Sequence, residues 1–478
     1  MPQVMNWDRS KRARDADMRG ETSRWTLAGL SLAMLMPSLA TSTTNMALPS
    51  LAREFDISFQ SAQWIVLSYL LTVTAMVVGA GRIGDMIGRR GLMLAGIGIF
   101  GVASISCAAA PTFALLVVAR LVQGVGAAIM MALTMAFVSD VVPASRTGRA
   151  MGLLGTMSAA GTTLGPALGG VLLAWAGTGM IFLVNVPIGL LTFLLLYRTL
   201  PAAKDAAPKD RAGSFDMLGM ALLIATLAAY ALAMTIGDGE LGFRNIGLLS
   251  AAAATGMMFL VVEARTASPL IRLALFRIPA IRSGLGTSAL VSTVMMTTLI
   301  VGPFYLSDAL GLGAAMSGII LSAGPLAAAF AGVPAGRVVD RLEASRVGLI
   351  GLFALLGGCC ALIFLPLSWG VAGYLAAIMT MTAGYALFQA ANNSAIMAAA
   401  DAAERGLVSG MIGLSRNLGL VTGASAMGWV FAFGASALDV EGAGQEVTAA
   451  GMHLAFAVAA ILVGTAILLA LHGTRRRQ

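Results

Sequence analysis

The stretch that decides how this chain is read runs Gly81-Arg82-Ile83-Gly84-Asp85-Met86-Ile87-Gly88-Arg89-Arg90. It holds four charges within ten residues, yet an apolar run flanks it on each side, with cores at 63–82 and 91–110. Each run has the roughly 20 residues that cross a bilayer as a helix. A charged decapeptide between two such runs reads as a tight connection at one membrane surface.

The whole composition points the same way. Of 478 residues, 58% are hydrophobic and 11% are charged, against about 25% charged in a soluble domain. The mean hydropathy is +0.88. A soluble chain of this length cannot hide so much apolar surface, because over half of its exterior still faces water. A soluble enzyme, a nucleic-acid-binding protein and a disordered chain are excluded. The 57 glycines suit helices that pack closely in lipid.

Cys107, Cys359 and Cys360 all lie in apolar runs and read as packing residues. They form no disulfide framework or metal spacing, and His453 and His472 lie far from any cysteine cluster, so no metal and no cofactor are expected. None of Lys11, Lys204 and Lys209 follows a phosphate-binding glycine pattern, so no ATP is expected either.

Fourteen apolar stretches can be read. Their cores are 25–47, 63–82, 91–110, 113–138, 150–173, 180–198, 216–236, 246–264, 283–306, 316–338, 347–368, 371–397, 407–435 and 452–472. Continuous runs of Leu, Ala, Met and Gly exclude a β-barrel, which would alternate. The first stretch follows 24 mostly polar residues and is long enough to cross, so it reads as a span and not as a signal peptide. Basic residues favour the cytoplasmic side. With the N-terminus inside, 26 of the 30 bases fall on that side. Only Arg53 and Arg244 fall outside, and Arg120 and Arg416 lie within spans. A miscounted span would invert every later loop and destroy this asymmetry. The expectation is an all-α integral membrane protein of the plasma (inner) membrane, with fourteen spans and both termini cytoplasmic.

Gly81-Arg82-x-x-Asp85 after span two returns as Gly336-Arg337-x-x-Asp340 after span ten. Gly161, Gly165 and Gly169 in span five are echoed by Gly419 and Gly423 in span thirteen. Removing two central spans puts both echoes in register. The expected organisation is a tail (1–24), a six-helix bundle (25–198), a linker with two extra spans (199–282), a second six-helix bundle (283–472) and a tail (473–478). Repeated halves with substrate at their interface are a common transporter plan.

At this point the residues resemble the major facilitator superfamily. Gly81 to Arg90 resembles its loop motif between spans two and three. Arg120-Leu121-Val122-Gln123-Gly124-Val125-Gly126 resembles its span-four motif. Gly161-Thr162-Thr163-Leu164-Gly165-Pro166-Ala167-Leu168-Gly169-Gly170 resembles the span-five motif of its antiporters. Trp64 to Tyr69, Phe182 to Gly189, Phe388 to Ser394 and Arg416 to Gly419 look like signatures of its fourteen-span drug/proton antiporter branch.

The resemblance implies a conformational latch at Gly81, Gly84, Asp85, Gly88, Arg89 and Arg90, with Asp340 as a weaker counterpart. It implies proton or substrate coupling at Arg120, with Gln123 on the same face at i+3 and Arg416 as a second intramembrane charge. Gly161, Gly165 and Gly169 form a smooth face for another helix, Pro166 is expected to kink span five, and Gly170 completes the motif. Polar span residues are expected to line a substrate cavity: Asn45, Tyr69, Tyr385, Gln389, Asn392 and Asn393.

One feature departs from the branch. Ala40 stands where its span-one motif carries an aspartate, and none of the 22 acids lies deep in a span. Two central arginines and no central acid suit a neutral or anionic substrate better than a cation. The expected function is a secondary exporter of small amphipathic compounds coupled to protons. Uptake or facilitated movement of a neutral or anionic metabolite is the alternative. An enzyme is not expected, because no acid/base constellation lies in the membrane. The expected partners are a small-molecule substrate, the lipid bilayer and protons, with no nucleic acid.

Overall fold

The computed structural model describes residues 2–141, 147–200, 216–236, 242–266, 271–400, 405–436 and 444–475. Within these helices the side chains at 2–23, 78, 82, 85, 139–141, 147–152, 329, 332–341, 405–407, 409, 436, 444 and 473–475 are not described. The expected latch residues Asp85 and Asp340 therefore lie outside the described side chains.

Among the described residues the chain is helical throughout, without strands. The helices are α1 (Pro2–Glu54), α2 (Phe59–Ile87), α3 (Arg89–Ala108), α4 (Phe113–Val141), α5 (Thr147–Ala176), α6 (Met180–Leu183), α7 (Asn185–Thr199), α8 (Met217–Thr235), α9 (Phe243–Arg265), α10 (Pro279–Phe304), α11 (Ala314–Arg341), α12 (Ala344–Ile363), α13 (Gly370–Ala398), α14 (Arg405–Ser436) and α15 (Gly444–Arg475). Leu-, Ala- and Met-rich segments favour this conformation, and lipid enforces it, because the backbone must satisfy its own hydrogen bonds. Thirteen segments are long and apolar enough to cross a membrane. The 28-residue α11, whose sequence carries no charge from Ala314 to Gly336, makes the fourteenth.

Three details differ from the sequence reading. The polar N-terminal tail continues the first span as helix from Pro2. Span six is broken at Val184 into α6 and α7. Span nine runs on beyond Pro303 as a π-helical turn, Tyr305–Ala309.

The fourteen spans form two six-helix bundles and a hairpin. In the first bundle α1 packs on α5 and α7, α2 on α4, and α3 on α4 and α7. In the second, α10 packs on α14 and α15, α12 on α13 and α15, and α11 on α13. The bundles meet along two seams, α5 against α11 and α2 against α14.

The hairpin is α8 and α9. Asn245, 2% exposed, closes its turn by donating to the carbonyls of Ala233 (2.8 Å) and Ile236 (2.6 Å). Its other end carries Asp216, which caps α8 by accepting from the Gly219 amide at 2.7 Å. The hairpin lies on both bundles. Trp64 Nε1 of α2 donates to Thr235 Oγ1 at 3.0 Å. Leu71 of α2 and Leu418 of α14 both pack on its cluster of Leu223, Leu227 and Phe259.

The membrane faces are distinguished by charge. One, the basic face, carries Arg24, Arg90, Arg198, Arg265, Arg282 and Arg346. At the opposite face the bundles close on each other. The Phe59 ring of α2 meets Phe304 of α10 edge-on at 4.7 Å and Phe431 of α14 at 5.0 Å. Arg53 Nη1 of α1 lies 3.5 Å from Asp308 Oδ1. The Ala167 amide of α5 donates to Ser322 Oγ of α11 at 2.8 Å. Beside these contacts is a cavity of about 280 Å³, lined by Met46, Ser50, Arg53, Pro303, Ser307 and Ser317 among others.

Gly318 and Gly170 make this closure possible. A Cβ on Gly318 would run into the Pro166 carbonyl, and one on Gly170 would come within 2.5 Å of the Ala314 oxygen. Overpacking such a site costs about 1–3 kcal/mol, roughly a 5- to 150-fold shift in population. Gly318→Val is therefore expected to hold this face open. A cysteine placed at Ser50 should then alkylate faster in intact membranes. Gly313→Val, which meets open space, should leave that rate unchanged.

Candidate functional site

The connection between α2 and α3 is a single residue. Gly88 has φ +103°, which an L side chain rarely adopts, and its amide donates to Gly84 O at 3.0 Å. Gly84 lets α2 lie against α4, because a Cβ there would come within 2.6 Å of Leu133. Gly81 faces open space instead. Arg90 reaches the end of α7, donating from Nη2 to the Tyr197 carbonyl at 2.7 Å, with its guanidinium 5.6 Å from that ring. A cation at a helix C-terminus is favourably placed. Arg89, next to it, is half-buried.

Arg120, on α4, is fully buried. Its Nε donates to the Ile65 carbonyl at 2.8 Å and its Nη1 to Gln123 Oε1. The guanidinium lies 4.3 Å from the Tyr69 ring centroid. Gln123 passes the chain on, donating to Ser104 Oγ at 2.8 Å, which donates to Phe100 O. Tyr69 donates to the Pro37 carbonyl at 3.2 Å. One proximal charge is thus spread over a carbonyl, an amide and an aromatic face.

The α5 glycines face α1. A Cβ on Gly161 would meet the Leu35 backbone, one on Gly165 would meet Ser42, and one on Gly169 would meet Thr43. Gly170 points the other way, to α11. Pro166 leaves α5 helical from Thr147 to Ala176. Proline has no N–H for the carbonyl four residues back, and that carbonyl, Thr162 O, accepts from Ser42 Oγ of α1 at 3.1 Å. The same design recurs in the second bundle. Gly419 lies against Ala289 and Ser292 of α10, and Gly423 against Thr293 and Met296.

The remaining candidates divide. Asn45 is 2% exposed, and neither amide atom has a partner. Its neighbours Thr41 and Thr44 bond to their own helix at Pro37 O and Ala40 O. Ala40 itself is buried. On α13, Asn392 donates to Gly284 O of α10 at 3.0 Å. Tyr385 and Gln389 share one face of α13 at i and i+4. Tyr385, Gln389, Asn392, Asn393 and Arg416 are all half-buried. The structure thus joins Arg120, Gln123 and Tyr69 in the first bundle.

Sequence reasoning missed Ser42, Ser104 and Gln63. Ser42 stands three residues before Asn45 and opposite Gly165, so the small–small match was a usable signal. Gln63 is 1% exposed with both amide atoms unpartnered, and it lies against Gly428 across the seam. No local pattern announces that contact.

A family model of the Major Facilitator Superfamily matches residues 30–424 and 294–478. The chain belongs to the major facilitator superfamily. It is 30% identical over 403 residues to the uncharacterized transporter YebQ of Escherichia coli K12, covering 83% of this chain and 86% of that protein. It is 31% identical over 414 residues to the multidrug resistance protein Stp of Mycobacterium tuberculosis, covering 86% and 76%. The riboflavin transporter RibZ of Clostridioides difficile is 27% identical over 405 residues, covering 84% and 87%. The crystal structure of a bacterial homolog of the human lysosomal transporter Spinster, inward-facing and unoccupied, superposes with TM-score 0.67 at 15% identity over 95% and 97% of the two chains. The chain is a multi-pass membrane transporter of the superfamily's multidrug efflux branch.

In this facilitator the Arg120 network predicts a stability difference. A hydrogen bond to a charged group contributes about 1.5–3 kcal/mol. Gln123→Met is expected to lower stability by about that amount, read as a fall in thermal unfolding temperature in detergent. Ser104→Ala, one link further from the charge, should cost less.

Proposed function

We propose that this facilitator exports small amphipathic compounds from the cytoplasm, driven by the proton gradient. The basic face is the cytoplasmic one, both termini lie there, and the membrane is the plasma (inner) membrane. The carrying observation is the closure of the two bundles at the opposite face, by the Phe59, Phe304 and Phe431 rings and the Gly170–Gly318 approach. Such a closure supports alternating access, in which one bundle rocks against the other. Bundles at 25–198 and 283–472, with 199–282 between, are the moving units. Similarity to Stp supports export and a multidrug range.

Asp85, beside the one-residue Gly88 connection, acts with Arg89 and Arg90 as the latch, with Asp340 as its counterpart. Arg120 and Gln123 hold α4 to α2 and α3. Gly161, Gly165, Pro166 and Gly169 carry α5 against α1, and Gly170 meets α11. A second reading is uptake or facilitated movement of a neutral or anionic metabolite. The buried Ala40 at the usual acid position favours it, as does the similarity to RibZ.

Efflux of a dye panel from cells with and without the protein, repeated with a protonophore, tests the proposal. Export of at least one amphipathic dye that collapses with the protonophore is expected. Asp85→Asn should slow it. Protein-dependent accumulation would favour uptake, and export unchanged by the protonophore would remove proton coupling.

A further inference from the structure

The cavity of about 280 Å³ at the face opposite the basic one is walled by both bundles. One wall is the end of α1; the other is the end of α10, the π turn and the start of α11. Its volume lies near the lower edge of small-molecule sites, about 300–1,000 Å³, so it suits a compact ligand. Met46, Pro49, Pro303 and Leu312 supply apolar surface, and Ser50, Arg53, Ser307 and Ser317 supply polar groups.

These polar groups have donors to spare. Ser317 is fully buried, and its Oγ has no hydrogen-bond partner. A buried hydroxyl left in that state is costly. The 28-residue α11 begins at Ala314, so the positive end of a long helix dipole lies at the cavity wall. No acid in its first turn offsets that charge. Gly313, just before it, has no side chain to cap the first amides. Among the described residues no acceptor takes the N–H of Gly313 or Ala314, and both residues line the cavity.

Arg53 adds a full charge. It makes two long contacts, to Ser50 Oγ at 3.4 Å and to Asp308 Oδ1 at 3.5 Å. A charge-assisted hydrogen bond is shorter, about 2.7–2.9 Å, so the guanidinium fork is not used up. Asp308 lies outside the lining and accepts from Ser307 Oγ at 2.6 Å. A guanidinium, a helix N-terminus and a buried hydroxyl lining one cavity form a setting for an oxyanion. We propose that this cavity is a binding site for a compact carboxylate with an apolar body, entering from the face opposite the basic one. Both bundles line it, so the ligand has its full set of partners only while they are closed there. Occupancy therefore favours the closed state by mass action. The site goes beyond the export reading and holds for either direction of transport.

Three probes of one shape separate the charge classes: para-fluorobenzoate, para-fluorobenzyl alcohol and para-fluorobenzylammonium. Fluorine NMR titration reports their binding to the purified full chain. The carboxylate is expected to bind about tenfold or more tighter than the other two. Arg53→Gln should abolish that preference, and Ser317→Ala should weaken carboxylate binding several-fold. Asp308→Asn removes the same ion pair as Arg53→Gln but releases the guanidinium, so it should tighten carboxylate binding. Gln63, 1% exposed in the closed α2–α14 seam, gives a reporter of closure. The carboxylate at ten times its Kd should slow alkylation of Gln63→Cys by about tenfold. No binding of any probe, equal or tighter binding of the ammonium probe, or a carboxylate preference that survives Arg53→Gln would overturn the proposal. So would undiminished binding in Ser317→Ala, unchanged or weaker binding in Asp308→Asn, or alkylation that the carboxylate does not slow.

Discussion

Lipid offers the backbone no hydrogen bonds, so each polar group inside the spans must find its partner within the protein or bear the cost of having none. Most of the arrangement follows from this constraint. Pro166 frees a carbonyl in α5, and Ser42 of α1 takes it. Asn245 gathers two open carbonyls at the hairpin turn. Arg120 is carried by a carbonyl and an aromatic ring of α2 and by an amide of its own α4, which reaches on to Ser104 of α3. In each case the polar partner also fixes how two helices sit, so satisfying hydrogen bonds and packing the bundle are one requirement.

The groups left unsatisfied stand out against that background. Both amide atoms of Gln63 and of Asn45 are buried and unpartnered. An unmade buried hydrogen bond costs about 1–3 kcal/mol. Gln63 lies on the closed side of the α2–α14 seam, against the bare backbone of Gly428. The ring contacts of Phe59 add about 0.5–1.5 kcal/mol per pair in the other direction. Opposing terms of similar size thus act on this seam.

Much of the fold is legible in the sequence because a span needs only length and apolarity. Thirteen helices stand out on those grounds alone. α11 joins them in the sequence, which carries no charge from Ala314 to Gly336 before Arg337 and Asp340. The glycine echo also carries over: Gly161 and Gly165 face α1 as Gly419 and Gly423 face α10. Arg120 and Gln123 pair because i and i+3 share a helix face. What the sequence hides is long-range. The break at Val184 and the π turn at Tyr305–Ala309 depend on neighbours in space. So does the meeting of Phe59, Phe304 and Phe431, which no periodicity connects. Arg120 and Arg416 look alike in sequence, and only their surroundings separate them.

The inserted hairpin makes the two seams unequal. α5 and α11 face the bilayer directly, whereas α8 lies across α2 and α14 and is bound to both. Among the described residues α8 covers that seam as a gasket, and the α5–α11 seam carries no such helix. A transporter built from two similar halves thereby acquires a front and a back.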